Sequence, residues 1–312
     1  MEAVKGTLFS IINYFHKDDR YNRVTLGLDR NPSMKTLIRW RFADVFILGS
    51  MSVLFMFTYY IPPFQRQFFV DDLTISHPFA ENERVSNSGL FFYAVWIPLT
   101  VIIIIGLIFT KPANKVYVTY ISVMGLLIAV FTASITTDIL KNFIGRHRPD
   151  FLARCIPRAD TPTGVMVFAK DVCTTDNTDR LMDGFRTTPS GHSSISFSGL
   201  GYLSFWLAGQ LIVKHYQSGA WRSIVAFAPS FGASLIALSR TEDYRHHFID
   251  VIIGSILGLG IGYWSYFRYF PSLTSTKAFE PLIISNEHSG SKIHDEDESV
   301  EYHTLDTTQE DV

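Results

Sequence analysis

His246 and Asp250 stand four residues apart, the spacing that stacks two side chains on one face of a helix. A carboxylate bonded to one imidazole nitrogen fixes the tautomer and leaves the other nitrogen its lone pair, so this pair has the form of an oriented nucleophile. Upstream, Pro189-Ser190-Gly191-His192 presents a second histidine. From there His192 would protonate a leaving oxygen and then activate the water that releases the bound group. Lys141, Arg148 and Arg240 add fixed positive charge. A phosphoryl group in transfer spreads negative charge over its equatorial oxygens, and cations and amide donors aimed at those oxygens lower the barrier. Ser190 and Gly191 open an apolar stretch, where the unpaired N–H groups of a helix start favour an anion. Gly191 also lets the backbone come close.

These residues lie at the ends of long apolar segments. Val45–Tyr60, Leu90–Phe109, Val116–Thr137, Ser194–Val213, Ile224–Leu238 and Phe248–Phe267 each approach the length of a spanning helix. The first and fifth are short or interrupted, the fifth by Pro229 and Gly232, which predicts a tilt or break there. The expected fold is therefore all-α, an integral membrane protein of six transmembrane helices. Its expected parts are an N-terminal cytoplasmic segment over 1–41, a membrane domain over 42–267 and an acidic, disordered cytoplasmic tail over 268–312. The Lys141–Arg148 cluster follows the third span, Ser190–His192 opens the fourth, and Arg240–Asp250 joins the fifth to the sixth. Between the second and third clusters the chain crosses twice, so all three clusters fall on one membrane face whichever way the protein inserts.

Taken singly, each cluster has an ordinary reading. A lysine past a membrane helix is usually a snorkelling anchor, Pro-Ser-Gly is usually a helix cap, and His and Asp four apart are usually a surface pair. Their meeting on one face favours the phosphate site. His247 lies about 100° round a helix from His246 and reads as structural. Asp71 and Asp72 have no further carboxylate, His or Cys cluster at ligand spacing, so no metal site is predicted. Arg146 and Arg186 read as solvated loop residues or outer phosphate contacts, and His77 has no assigned role.

Lys141 with Arg148-Pro149, then Pro189-Ser190-Gly191-His192, then Ser239-Arg240 with His246 and Asp250, resemble the three-part signature of the type 2 phosphatidic acid phosphatase (lipid phosphate phosphatase) superfamily. Every signature position is filled, and the resemblance covers about Phe42 to Phe267. The flanks Asp71–Pro78, Asp183–Thr188 and Tyr244–Phe248 resemble fungal diacylglycerol pyrophosphate phosphatases. The resemblance implies a helical phosphatase core shared with the vanadate-dependent haloperoxidases. It also implies magnesium-independent hydrolysis of diacylglycerol pyrophosphate, phosphatidate and lysophosphatidate. By it, Lys141, Arg148, Ser190, Gly191 and Arg240 hold phosphate, His192 is the acid, and His246 with Asp250 forms the nucleophile pair.

Composition narrows the alternatives. The chain is 47% hydrophobic and 18% charged with a net charge of -2, which excludes the dense basic surface that nucleic acid demands. The expected partners are membrane lipid phosphates and the bilayer, with no obligate protein partner and no cofactor. A phosphatase for sphingoid-base or polyprenyl phosphates would use the same signature. A lipid or anion transporter would place its polar site nearer the bilayer midplane. Eight Lys and Arg residues between Lys5 and Arg41 predict a cytoplasmic N-terminus, and six crossings return the C-terminus to the same side. The site then faces a lumen, of the vacuole or another endomembrane. Cys155 and Cys173 share one polar segment, where a disulfide is one possibility. No removed signal peptide is expected.

Overall fold

The computed structural model describes residues 31–284. The basic residues Lys5, Lys17, Arg20, Arg23 and Arg30 and the acidic run His294 to Glu298 lie outside them. The chain divides after Gly49 into two compact units. In the first, helix α1, Pro32–Arg39, begins at Asn31, whose side chain accepts from Ser33 N at 3.0 Å. Helix α2, Phe42–Tyr60, runs through the division.

The second unit continues with α3 (Asn87–Phe109), α4 (Lys115–Ile144), three short helices, α5 (Phe151–Cys155), α6 (Ala169–Val172) and α7 (Thr178–Asp183), and then α8 (Gly191–Gln210), α9 (Ala220–Glu242) and α10 (Phe248–Tyr269). No strand occurs among the described residues, only two isolated bridges, Phe68 with Val167 and Pro157 with Cys173. Among the described residues, five helices, α2, α3, α4, α9 and α10, are long and apolar enough to cross a bilayer. The fourth expected span, α8, has the length at 20 residues, but five of them are serine and lower its hydropathy. The protein is a multi-pass membrane protein in which α8 is shielded by its neighbours and needs no lipid-facing surface.

The α8–α10 contact explains those serines. Gly254, Gly258 and Gly262 recur every fourth residue on one face of α10, and a Cβ on each would meet, respectively, Ser190 just before α8 and Ser194 and Ser198 within it. Small residues on both sides let the two backbones approach closely, as membrane helix pairs commonly do. Two of the hydroxyls are satisfied within the helix: Ser194 Oγ donates to Gly191 O at 3.2 Å and Ser198 Oγ to Ile195 O at 3.0 Å. On the other side, Tyr202 and Trp206 donate to the Ser122 carbonyl and hydroxyl of α4 at 3.0 and 2.8 Å. Helix α9 is continuous through Pro229. Next to the proline, the Ser230 N–H is taken by Ser204 Oγ at 3.0 Å.

Segments 61–86 and 145–190 pack together at one end of the bundle. Phe68, Ile75, Phe151, Leu181 and Phe185 form their buried cluster, and a Cys155–Cys173 disulfide lies beside it. At the other end, residues 271–284 were expected without fixed structure. They fold back instead: Ala278 and Ile284 are buried, and Gln210 Nε2 donates to Phe279 O at 3.2 Å. Apolar Ala278, Phe279 and Ile284 give this stretch something to bury, which the acidity of the later tail conceals in a composition reading.

Candidate active site

Helix α4 extends past its apolar stretch to Ile144, because Asp138, Lys141 and Asn142 continue the helix as its polar end. It stops at Gly145, whose φ of 60° is left-handed and where a Cβ would strike the Phe64 carbonyl. This places Lys141 on the final turn and turns the chain so that Arg148 follows. Ser190 caps α8, accepting from Ser193 N at 3.4 Å. Its own N–H donates to Asp250 O at 3.0 Å, so the second and third motifs are joined by backbone. Arg240 ends α9, and His246 and His247 lead into α10.

Lys141, Arg148, Gly191, His192, Arg240 and His246 line one cavity of about 680 Å³. Ser190 and Asp250 are fully buried behind that wall. The Ser190 side chain is committed to capping, so its contribution to an anion site is the helix start it fixes.

The expected direct contact of Asp250 with His246 is replaced by a relay. His246 precedes the first residue of α10, so the helical four-residue spacing does not apply to it. It is His247 that caps the helix and bonds Asp250 Oδ2, through its N–H at 2.9 Å and Nδ1 at 3.2 Å. The Thr187 hydroxyl donates to Asp250 Oδ2 at 2.8 Å and lies 3.2 Å from His246 Nδ1. Having given its one proton to the carboxylate, the hydroxyl accepts from Nδ1–H, and Nε2 of His246 keeps its lone pair. Asp250 Oδ1 takes Thr188 Oγ1 at 2.5 Å and Arg146 Nη1 at 3.2 Å. Burial, with the nearby charges of Lys141 and Arg148, holds the His246 pKa well below the usual histidine value, so the imidazole is neutral in the resting protein.

His192 Nε2 lies 3.0 Å from the Val85 carbonyl. A carbonyl only accepts, so Nε2 carries a hydrogen and Nδ1 is the nitrogen that exchanges protons. Lys141 Nζ donates to Arg186 O at 2.7 Å. Arg148 is held by Asp183 at 2.8 Å, and Asp183 is itself held by the fully buried Arg154 at 2.9 Å. Arg240 Nη1 meets Glu83 at 2.8 Å and Nη2 meets Asp243 at 2.7 Å. The other oxygen of Glu83 binds Arg245 at 2.8 Å. Three residues of one loop, Glu83 to Val85, thus reach both Arg240 and the second histidine.

Motif spacing alone does not point to Thr187, Glu83, Arg245 or Asp183. Thr187, Asp183 and Arg245 sit within the flanks that carry the finer resemblance, which was the available signal. Glu83 has none, because its contact with Arg240 spans 157 residues of sequence.

An imidazole, a second histidine and three cations around one cavity at the end of a helical membrane bundle have the chemistry that a lipid phosphatase needs for phosphoryl transfer. Residues 122–272 match the PAP2 superfamily. The chain is 52% identical over 249 residues, 80% of this chain and 86% of the relative, to diacylglycerol pyrophosphate phosphatase 1 of Saccharomyces cerevisiae. It is 41% identical over 234 residues, 74% of this chain and 82% of the relative, to a probable diacylglycerol pyrophosphate phosphatase 1 of Schizosaccharomyces pombe. With lipid phosphate phosphatase 2 of Arabidopsis thaliana it shares 33% identity over 240 residues, 76% and 79% of the two chains. No solved structure gives a significant match. The chain belongs to the PAP2 superfamily.

Proposed function

We propose that this chain is a metal-independent lipid phosphate phosphatase. It takes diacylglycerol pyrophosphate to phosphatidate and phosphatidate to diacylglycerol, and also acts on lysophosphatidate, through a phosphohistidine at His246. The carrying observation is that His246, His192, Lys141, Arg148 and Arg240 line one cavity. The names and identity of the relatives support the substrate class.

In the first step Nε2 of His246 attacks phosphorus, the N–P bond forms, and the bond to the leaving oxygen breaks. The electron pair stays with that oxygen, which takes the Nδ1 proton of His192; His192 enters this step as an imidazolium, its Nε2–H held by the Val85 carbonyl. Thr187 and Asp250 hold the Nδ1–H of His246 and stabilise the charge it gains. Lys141, Arg148, Arg240 and the N–H groups at the start of α8 spread over the equatorial oxygens. In the second step His192, now neutral, takes a proton from water. The hydroxide attacks phosphorus, the N–P bond breaks, and inorganic phosphate leaves with His246 restored. These protein cations occupy the electrostatic role that a divalent ion fills in other phosphatases.

We further place both termini in the cytoplasm and the site in a lumen, of the vacuole or another endomembrane, with no obligate protein partner. The Cys155–Cys173 disulfide, in the 145–190 segment that also carries Arg148, supports an oxidising compartment. Lys35, Arg39 and Arg41 before or at the start of α2 support the cytoplasmic N-terminus.

The test is phosphate release from diacylglycerol pyrophosphate and phosphatidate in detergent micelles with excess EDTA, comparing the wild type with His246→Ala. Release that survives EDTA and disappears in the variant is expected. Release abolished by EDTA would refute metal independence, and undiminished release by a folded His246→Ala would refute the nucleophile.

A further inference from the structure

Four arginines line the cavity: Arg148, Arg186, Arg240 and Arg245. Three are already neutralised. Arg148 pairs with Asp183, Arg240 with Glu83 and Asp243, and Arg245 with Glu83 and Asp150. Arg186 forms no ion pair among the described residues. Its Nη2 donates to two backbone carbonyls, Ile61 O at 2.7 Å and Tyr59 O at 3.3 Å. Its Nε is buried with no hydrogen-bond partner. The guanidinium is half-buried, and the Asp138 carboxylate acts on it across the cavity without a direct ion pair, so its planar fork keeps donors for an arriving anion.

The position of Arg186 gives that anion an identity. Its backbone carbonyl receives Lys141 Nζ at 2.7 Å, so it adjoins the reactive-phosphate site. Its guanidinium reaches the last turn of α2, where Tyr59 and Tyr60 are exposed on the outer surface. Asp138, one turn before Lys141 on α4, faces the same cavity and discourages a freely roaming anion there. Arg186 thus bridges the reactive site and the surface at which lipid tails would stay in the bilayer.

Resting on the phosphatase reading above, we propose that Arg186 is the binding site for a second phosphate, the one nearer the lipid, and so selects diphosphate over monophosphate headgroups. With the terminal phosphate at His246, the bridging phosphate of a diphosphate lipid falls beside Arg186, whose planar fork of donors suits its two free oxygens. A monophosphate lipid sends its only phosphate to His246 and offers Arg186 ester oxygens alone. After the first hydrolysis the remaining phosphate must move from Arg186 to His246, so the two hydrolyses are separate binding events.

The test compares full-length wild type, Arg186→Met and Arg186→Lys in micelles. It measures label release from diacylglycerol pyrophosphate carrying a labelled terminal phosphate, and phosphate release from phosphatidate. Arg186→Met is expected to lower kcat/KM for the diphosphate lipid about tenfold or more, with less than about threefold change for phosphatidate. Arg186→Lys, which keeps the charge and disturbs the fold least, should show the same selectivity at smaller size. In a His246→Ala background, Arg186→Met should weaken methylenediphosphonate binding and leave inorganic phosphate binding unchanged. Equal losses on both lipids, or no loss on either, would overturn the second-phosphate site. Wild type that releases phosphate from neither lipid would instead overturn the phosphatase reading.

Discussion

Thr187 donates its hydroxyl proton to Asp250 at 2.8 Å, and both side chains are fully buried. The contact places a hydroxyl where the motif alone suggests a direct carboxylate–imidazole bond. Thr187 is a positioning residue: it transmits the Asp250 charge to His246 Nδ1, 3.2 Å away. Thr187→Val keeps the shape and removes the relay. It is expected to lower kcat by roughly 10- to 100-fold with little change in KM, since the relay matters most when His246 becomes cationic. Thr187→Ser should restore most of the rate. Equal activity of the Val and Ser variants would mean that packing alone is at stake.

Glu83 occupies with its carboxylate the guanidinium surface that a phosphate would need, 2.8 Å from both Arg240 and Arg245. An incoming phosphate must compete with it for Arg240. Glu83→Gln removes the competing charge and keeps the size, so orthovanadate and inorganic phosphate should inhibit about 3- to 10-fold more tightly. A weaker inhibitor affinity in Glu83→Gln would show that Glu83 builds the anion site by holding Arg240 in place.

The helical class and the three motif clusters were legible because apolar runs and signature residues are local. The parity of crossings was enough to bring Lys141, His192 and His246 to one face. What stayed hidden depends on pairs far apart in sequence. Asp250 was assigned to His246 from spacing, but the helix starts at Phe248, and the carboxylate turns to His247 and Thr187. Serine content made α8 weaker as a membrane span than it looked in a list of apolar runs. Its complement, the glycine stripe on α10, shows only when the two helices are side by side.

That stripe makes its own prediction. A Cβ at Gly258 would strike the Ser194 carbonyl, and backbone cannot yield as a flexible side chain does. Gly258→Val should separate α8 from α10 at the site, lowering thermal stability in detergent and reducing activity on every substrate in parallel. Gly260, where a Cβ meets nothing, is the control: Gly260→Ala should match the wild type in both measurements.

The proposed nucleophile, His246, sets an acid limit on turnover. Burial, Lys141 and Arg148 together depress the His246 pKa, so Nε2 keeps its lone pair to pH values well below about 6.5, the ordinary histidine value. The acid limb of kcat assigned to His246 should therefore lie well below that value. Arg148→Gln removes one depressing charge, which raises the His246 pKa and moves the limb toward neutral pH, alongside the loss of rate from weaker phosphate binding. A limb that moves to lower pH in Arg148→Gln would contradict the electrostatic account.

His147 tests the cap at the bundle end. It packs against Phe68, Phe151 and Phe185, with ring centroids 5.4, 4.5 and 5.0 Å away, and its Nε2 lies 3.1 Å from the Arg66 carbonyl. Burial brings its pKa down to about 4, although the Arg66 hydrogen bond opposes the shift. The unfolded chain, with a histidine pKa near 6.5, then binds a proton that the folded chain refuses between pH 6.5 and about 4. Stability from this residue is complete above about 6.5 and declines as pH falls toward 4, by at most on the order of 3 kcal/mol. The melting temperature of the wild type should fall across that window, and His147→Gln, which cannot titrate, should show a shallower fall from a lower starting value. An identical slope in the two proteins would place the acid sensitivity elsewhere in the fold.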